Sequence, residues 1–196
     1  MALEQPDQDI LRKAQRGDQQ AFAIIVRAYE RPIYNYVLRM VGDRGLAEDL
    51  TQEVFVRIHH GLPGFSLRSK FTTWMFQVTK NRVLDELRAI ERRPNRFVNI
   101  DDIPPLQVLD APIERAETIT ALWRAIDDLT VDLKMALLLR DLVGLSYNEI
   151  SDSLEITLST VKWRIYKARE EVQAALARNG IGVATSVARA ADTITE

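Results

Sequence analysis

Leu145-Ser-Tyr-Asn-Glu-Ile-Ser-Asp-Ser-Leu-Glu-Ile-Thr-Leu-Ser-Thr-Val-Lys-Trp-Arg164 reads as two short helices joined by a tight turn. Ser146-Tyr-Asn-Glu149 has capping-box spacing, in which a hydroxyl and a carboxylate three residues apart satisfy each other's free amides. Ile150 and Leu154 then face inward. Thr157 is placed to cap the second helix, and Val161, Ile165, Ala168 and Val172 give it one apolar face. Ser159, Thr160, Lys162, Trp163, Arg164 and Lys167 remain for the outside. A helix-turn-helix offers its second helix to a DNA major groove in this way. The large ring of Trp163, on the side away from the apolar stripe, argues against plain bundle packing.

Upstream, Phe65-Ser-Leu-Arg-Ser-Lys-Phe-Thr-Thr-Trp-Met-Phe-Gln-Val-Thr-Lys-Asn-Arg82 mixes aromatics with cations. Aromatic faces stack on unpaired bases while cations hold the backbone, which suits single strands. Asn81 adds an amide that can pair with a base edge. Phe71, Met75 and Val78 read as core; the side bearing Lys80, Asn81, Arg82 and Arg88 does not. A third segment, Ala47-Glu-Asp-Leu-Thr-Gln-Glu-Val-Phe-Val-Arg57, has a buried stripe of Leu50, Val54 and Ile58. Asp49, Gln52, Glu53 and Arg57 lie on its opposite face, a candidate partner surface.

These segments belong to an all-α chain. Helices are expected over Asp9–Gly17, Asp18–Tyr29, a separate one from Pro32, Leu46–His60 and Lys70–Glu91. A second group covers Glu114–Leu129, Val131–Leu142 and the helix-turn-helix, with Asn179-Gly180 as its stop. Between Arg93 and Ile113 no helical period survives, and Asp101-Asp102-Ile-Pro-Pro105 blocks regular structure. So long a gap favours two domains. The expected division is 1–95, a linker over 96–113, 114–178, and a mobile tail over 179–196.

Net charge is -2, but its distribution is uneven. Ser66 to Arg96 carries eight Lys/Arg against three acids, and Phe97 to Leu133 two Arg against eight acids. Phosphate attraction is local, screened over about 10 Å, so this segregation outweighs the total. The absence of cysteine excludes disulfides, thiolate zinc and a cysteine nucleophile. Two adjacent histidines, His59 and His60, are too few for a metal site, and glycine-rich phosphate loops are missing. No cofactor, small-molecule substrate or catalytic activity is expected. No apolar run approaches the ~18 residues of a membrane span, and the polar N-terminus lacks a secretory pattern. A cytoplasmic location without membrane insertion is the resulting expectation.

Asp18-Gln-Gln-Ala-Phe22, Ala47-Glu-Asp-Leu-Thr-Gln-Glu-Val-Phe55, Phe71-Thr-Thr-Trp74, Asn81-Arg-Val-Leu-Asp85 and Thr160-Val-Lys-Trp-Arg-Ile-Tyr-Lys-Ala-Arg169 occur in this order. Together they resemble the signatures of the extracytoplasmic-function (ECF) class of bacterial sigma factors, over about Asp7 to Arg178. The resemblance implies a promoter-specificity subunit that works on core RNA polymerase and is held in check by an anti-sigma factor. Residues 1–95 would be region two, docking on polymerase through Asp49, Gln52, Glu53 and Arg57. Phe65, Arg68, Lys70, Trp74, Lys80, Asn81, Arg82, Asp85 and Arg88 would bind the minus-ten element of promoter DNA. Asn81 there matches a position that lines the pocket for a flipped base. Residues 114–178 would be region four, placing Ser159, Thr160, Lys162, Trp163, Arg164 and Lys167 on the minus-thirty-five element. The acidic linker would run toward the active-site cleft.

The chain departs from the family pattern at Glu155 and Ser159, which stand where glycine is usual. Trp163 replaces a common serine, and Thr130 a common proline. With Glu155 there, the turn is expected to close without a residue free to take positive φ. A free-standing helix-turn-helix regulator is the alternative, but it leaves the basic-aromatic helix and the acidic linker without purpose.

Overall fold

The computed structural model describes residues 3–92 and 113–181, and within them every regular element is helical. Helix α1 (Gln8–Gln15) starts at Asp7, whose side chain accepts from the Asp9 amide. Helix α2 (Gln19–Val41) starts at Asp18, which accepts from the amides of Gln20 and Ala21. The expected break before Pro32 does not occur; α2 runs straight through it. Ile25, Tyr29, Ile33, Tyr36 and Val37 fall on one face of the continuous helix, and all are buried. Burying such side chains is worth roughly 1.5–3 kcal/mol each, which outweighs the ~3 kcal/mol penalty of an internal proline.

Gly42, at φ 74, ends α2 with its amide on the Leu38 carbonyl. Helix α3 (Arg44–Gly61) is capped by Asp43 and buries Ala47, Leu50, Val54 and Ile58. A 3-10 turn, Leu62–Gly64, leads to α4 (Phe71–Glu91), which buries Phe71, Met75, Phe76 and Val83 against α2 and α3. Tyr36 and Phe76 meet edge to face, centroids 5.7 Å apart.

The second group begins with α5 (Ile113–Asp127) and α6 (Val131–Leu137). The helix expected to continue to Leu142 widens into a π-helical turn over Leu138–Leu142. There the Val143 amide donates to Leu138 and the Leu145 amide to Leu139, with Gly144 at φ 85 closing the end. Arg140 fastens this turn to the start of the helix-turn-helix. It donates to the Leu145 carbonyl at 2.9 Å, and its guanidinium lies over the Tyr147 ring. Helices α7 (Tyr147–Leu154) and α8 (Leu158–Arg178) complete the unit. Asn179 caps α8, and Gly180 comes next at φ 71.

The helix-turn-helix forms as its sequence requires. Ser146 accepts from the Glu149 amide while Glu149 accepts from the Ser146 amide. Thr157 caps α8 by accepting from the Thr160 amide. The turn differs from expectation: Glu155 itself takes the left-handed conformation, φ 58, with its amide on the Ser151 carbonyl. That conformation costs an ordinary residue about 1–2 kcal/mol. The expected linker, 96–113, except its last residue, and the tail beyond Ile181 lie outside the described residues.

The two helical groups touch. Helix α7 packs on α4, where the buried Ser153 hydroxyl donates to the Thr73 carbonyl at 3.0 Å. The buried Arg39 guanidinium sits 3.5 Å from the Trp123 ring centroid.

Candidate nucleic-acid interface

Helix α8 presents its N-terminal half to solvent because its apolar stripe, Val161, Ile165, Ala168 and Val172, is buried in the bundle. Ser159 and Lys162 are exposed and Thr160 is half-buried. The Thr157, Ser159 and Thr160 hydroxyls form a cluster, at 2.9 and 2.8 Å from Thr157. Trp163 is 60% exposed and Tyr166 71% exposed, the two most exposed large hydrophobic side chains among the described residues. Sequence reading missed Tyr166, although its spacing of three from Trp163 makes the two rings neighbours on one helix face.

Two cations expected on the open face are already paired with carboxylates. Arg164, largely covered, donates to Asp132 of α6 at 2.7 Å. Lys167 pairs with Glu170 at 2.8 Å, which raises its pKa above the usual lysine value. Arg169 is similarly held, 2.7 Å from Asp141. Among the described residues Lys162 makes no ion pair, so the open face of α8 is aromatic and hydroxylic with one unshared positive charge.

On α4 and the loop before it, Arg68, Lys70, Asn81, Asp85 and Arg88 are exposed. Asp85 lies 3.8 Å from both Arg57 and Arg88. Phe65 is buried and stacks on Trp74, centroids 5.0 Å apart. Trp74 is half-buried, and its edge leaves no room at Gly61, where a Cβ would stand 3.0 Å from the indole. Arg82 is mostly covered, donating to Glu53 at 2.5 Å and Glu86 at 2.9 Å. The Arg82 hydrogen bond holds the Glu53 carboxyl below its ordinary value.

Lys80 is the clearest departure from an open minus-ten face. Its side chain is 7% exposed and reaches Glu155 of the helix-turn-helix turn, 3.6 Å away. Gln77 donates to the same carboxylate at 2.6 Å, and Lys70 lies 3.2 Å from Glu149. On α3, Asp49, Gln52, Glu53 and Arg57 are all exposed, as their spacing requires. Among the described residues no group of His, Asp or Glu side chains could hold a metal, and no helix is long and apolar enough to cross a membrane.

The family model for sigma-70 region 2 matches residues 25–93, and that for sigma-70 region 4 matches residues 119–172. The RNA polymerase sigma-H factor of Pseudomonas aeruginosa is 33% identical over 187 residues, covering 90% of this chain and 96% of that protein. The ECF RNA polymerase sigma-E factor of Escherichia coli K12 is 32% identical over 182 residues, covering 88% and 95%.

The chain belongs to the ECF sigma factors.

Solved structures agree on the fold of this sigma factor. Sigma factor RpoE of Bartonella quintana, bound to the anti-sigma factor NepR, superposes with a TM-score of 0.67 at 19% identity, covering 79% of this chain and 96% of that one. CnrH, bound to the cytosolic domain of CnrY, superposes at 0.68 with 21% identity, covering 88% and 97%. The sigma factor is a transcription initiation factor. Its α4 lies within the region 2 match, and its helix-turn-helix, α8 up to residue 172, within the region 4 match.

Proposed function

We propose that this sigma factor brings core RNA polymerase to promoters with two separate DNA-reading surfaces, acting in the cytoplasm and without catalytic activity of its own. Residues 1–95 carry the first surface and 114–178 the second. Asp49, Gln52, Glu53 and Arg57 on α3 contact the polymerase. Asn81, with Arg68, Lys70, Asp85 and Arg88 around it, takes the opened minus-ten strand. Phe65 and Trp74 brace that surface from behind, and Lys80 and Arg82 join it once released from Glu155 and Glu53. Ser159, Thr160, Lys162 and Trp163 enter the major groove of the minus-thirty-five element. Arg164 and Lys167 reach its phosphates by exchanging their carboxylate partners.

The observation that carries this reading is the shape of α8. A capped, hydroxyl-rich helix start and a protruding Lys162–Trp163 pair have no packing role in the fold, yet fit a groove. An anti-sigma factor is the expected inhibitor, since the B. quintana sigma factor is solved with one. Run-off transcription with purified bacterial core enzyme and a pool of genomic fragments tests the assignment. Discrete transcripts that depend on the added chain are expected; tight, sequence-specific duplex binding without polymerase would replace it by a free-standing regulator.

A further inference from the structure

Glu155 has the only positive φ among the described non-glycine residues. Glycine would occupy φ 58 without strain, so the side chain must supply what glycine lacks. That side chain spends both carboxylate oxygens on α4. Oε1 accepts from Gln77 Nε2 at 2.6 Å, and Oε2 lies 3.6 Å from Lys80 Nζ. Gln77 and Lys80 are three residues apart and therefore share one helix face.

Lys80 is nearly removed from water, and among the described residues Glu155 is the only anion within 4 Å of it. A buried ammonium that loses its partner is strongly unfavourable. Glu155, its side chain 63% exposed, thus contributes to the closed arrangement of α7 on α4 but is not alone in doing so. Two further polar contacts join the same elements: Lys70 beside Glu149, and Ser153 on the Thr73 carbonyl.

A carboxylate and a phosphodiester present the same pattern to such a site, two anionic oxygens for an amide N–H and an ammonium. We infer that Gln77 and Lys80 form a binding site for one backbone phosphate of the single-stranded promoter, and that Glu155 fills it in the free chain. Glu155 is thus a built-in competitor for DNA. While it is seated, α7 lies on Thr73 and the Glu155 carboxylate occupies Lys80, and the free sigma factor holds single strands poorly. Separation of the two helical groups on polymerase withdraws the carboxylate and exposes the site. This inference rests on reading α4 as the minus-ten surface.

The test uses the full chain without polymerase. The probe is a fluorescein-labelled oligothymidylate of roughly twelve nucleotides at low salt. The natural chain has no cysteine, so Gln20→Cys and Ala177→Cys, both at exposed positions, accept a donor–acceptor dye pair that reports separation of the groups. Glu155→Gly suits the turn's backbone and should leave the fold intact. It is expected to lower energy transfer and bind the oligonucleotide about tenfold tighter, the gain when a competent form rises from roughly a tenth of the population to most of it. Adding Lys80→Ala should cancel the gain. Glu155→Gln, which keeps size and strain but not charge, should behave like Glu155→Gly in weaker form.

Unchanged transfer and affinity in Glu155→Gly, with transcription by its holoenzyme intact, would overturn the latch. Opening without tighter binding would overturn the phosphate site. If loss of Glu155 has both effects but even the wild-type holoenzyme never transcribes, the promoter assignment fails and a single-strand site remains.

Discussion

Arg82 on α4 donates to Glu53 on α3 at 2.5 Å, tying a residue of the minus-ten set to one of the polymerase-binding set. Glu86, one turn along α4, takes the other side of the same guanidinium. Arg82 therefore links the face proposed for the minus-ten strand to the face proposed for polymerase.

Replacing Asp49 and Glu53 together by Lys should abolish association with core polymerase, measured by native gel or fluorescence anisotropy. Both side chains are exposed, but Glu53 also holds Arg82, so circular dichroism must show the variant folded before the binding result is read. Retained polymerase binding would clear this face of its assignment.

Asn81→Ala should leave core binding at the wild-type level while reducing promoter opening, monitored by reactivity of unpaired thymines in a footprint. Asn81 is exposed and, among the described residues, its side chain makes no hydrogen bond, so stability should change little. Normal opening would remove it from the strand-holding surface.

On α8, Lys162→Ala should lower the salt slope of closed-complex formation by about one, the signature of one lost phosphate contact. Arg164→Ala should lower it less, because Arg164 already has a partner in Asp132. Equal slopes for both variants and the wild type would mean that neither meets phosphate.

Ser146→Ala removes the hydroxyl of the capping box and should cost about 1 kcal/mol in urea denaturation. A pH dependence accompanies it. Burial works to raise the Glu149 carboxyl, but hydrogen bonds from Ser146 and Lys70 bring it below its ordinary 4.5. A lowered carboxyl contributes stability that is complete above its unfolded value and lost as pH falls through the folded one. The Glu149 contribution should therefore fade as pH falls below the ordinary carboxyl value, and acid should unfold Ser146→Ala at a higher pH than the wild type. Coincident acid transitions would show that the box contributes nothing.

Tyr36 is fully buried, which pushes its pKa up, and its hydroxyl has no hydrogen-bond partner among the described residues. An unmet buried hydroxyl is unfavourable by about 1–3 kcal/mol. Tyr36→Phe should leave stability unchanged or raise it; a loss above ~1 kcal/mol would reveal a partner for the hydroxyl.

Local signals in the sequence are reliable wherever a few neighbouring residues decide the outcome. Ser146 with Glu149, Thr157 before α8, and the Leu50–Val54–Ile58 stripe form as their spacing requires. Pro32 misleads because its local penalty is overcome by burial along the whole of α2. Arg164 and Lys80 depart from expectation for another reason. Their charge type is legible, but their partners, Asp132 and Glu155, come from distant helices that only packing brings near. Glu155 was expected to prevent a positive-φ turn; instead it adopts one.

Where α7 meets α4, the polar contacts join a hydroxyl to a backbone carbonyl, an amide to a carboxylate, and ammonium groups to carboxylates. On the proposed opening, water can take over these polar contacts, which limits the apolar surface that separation of α7 from α4 would expose.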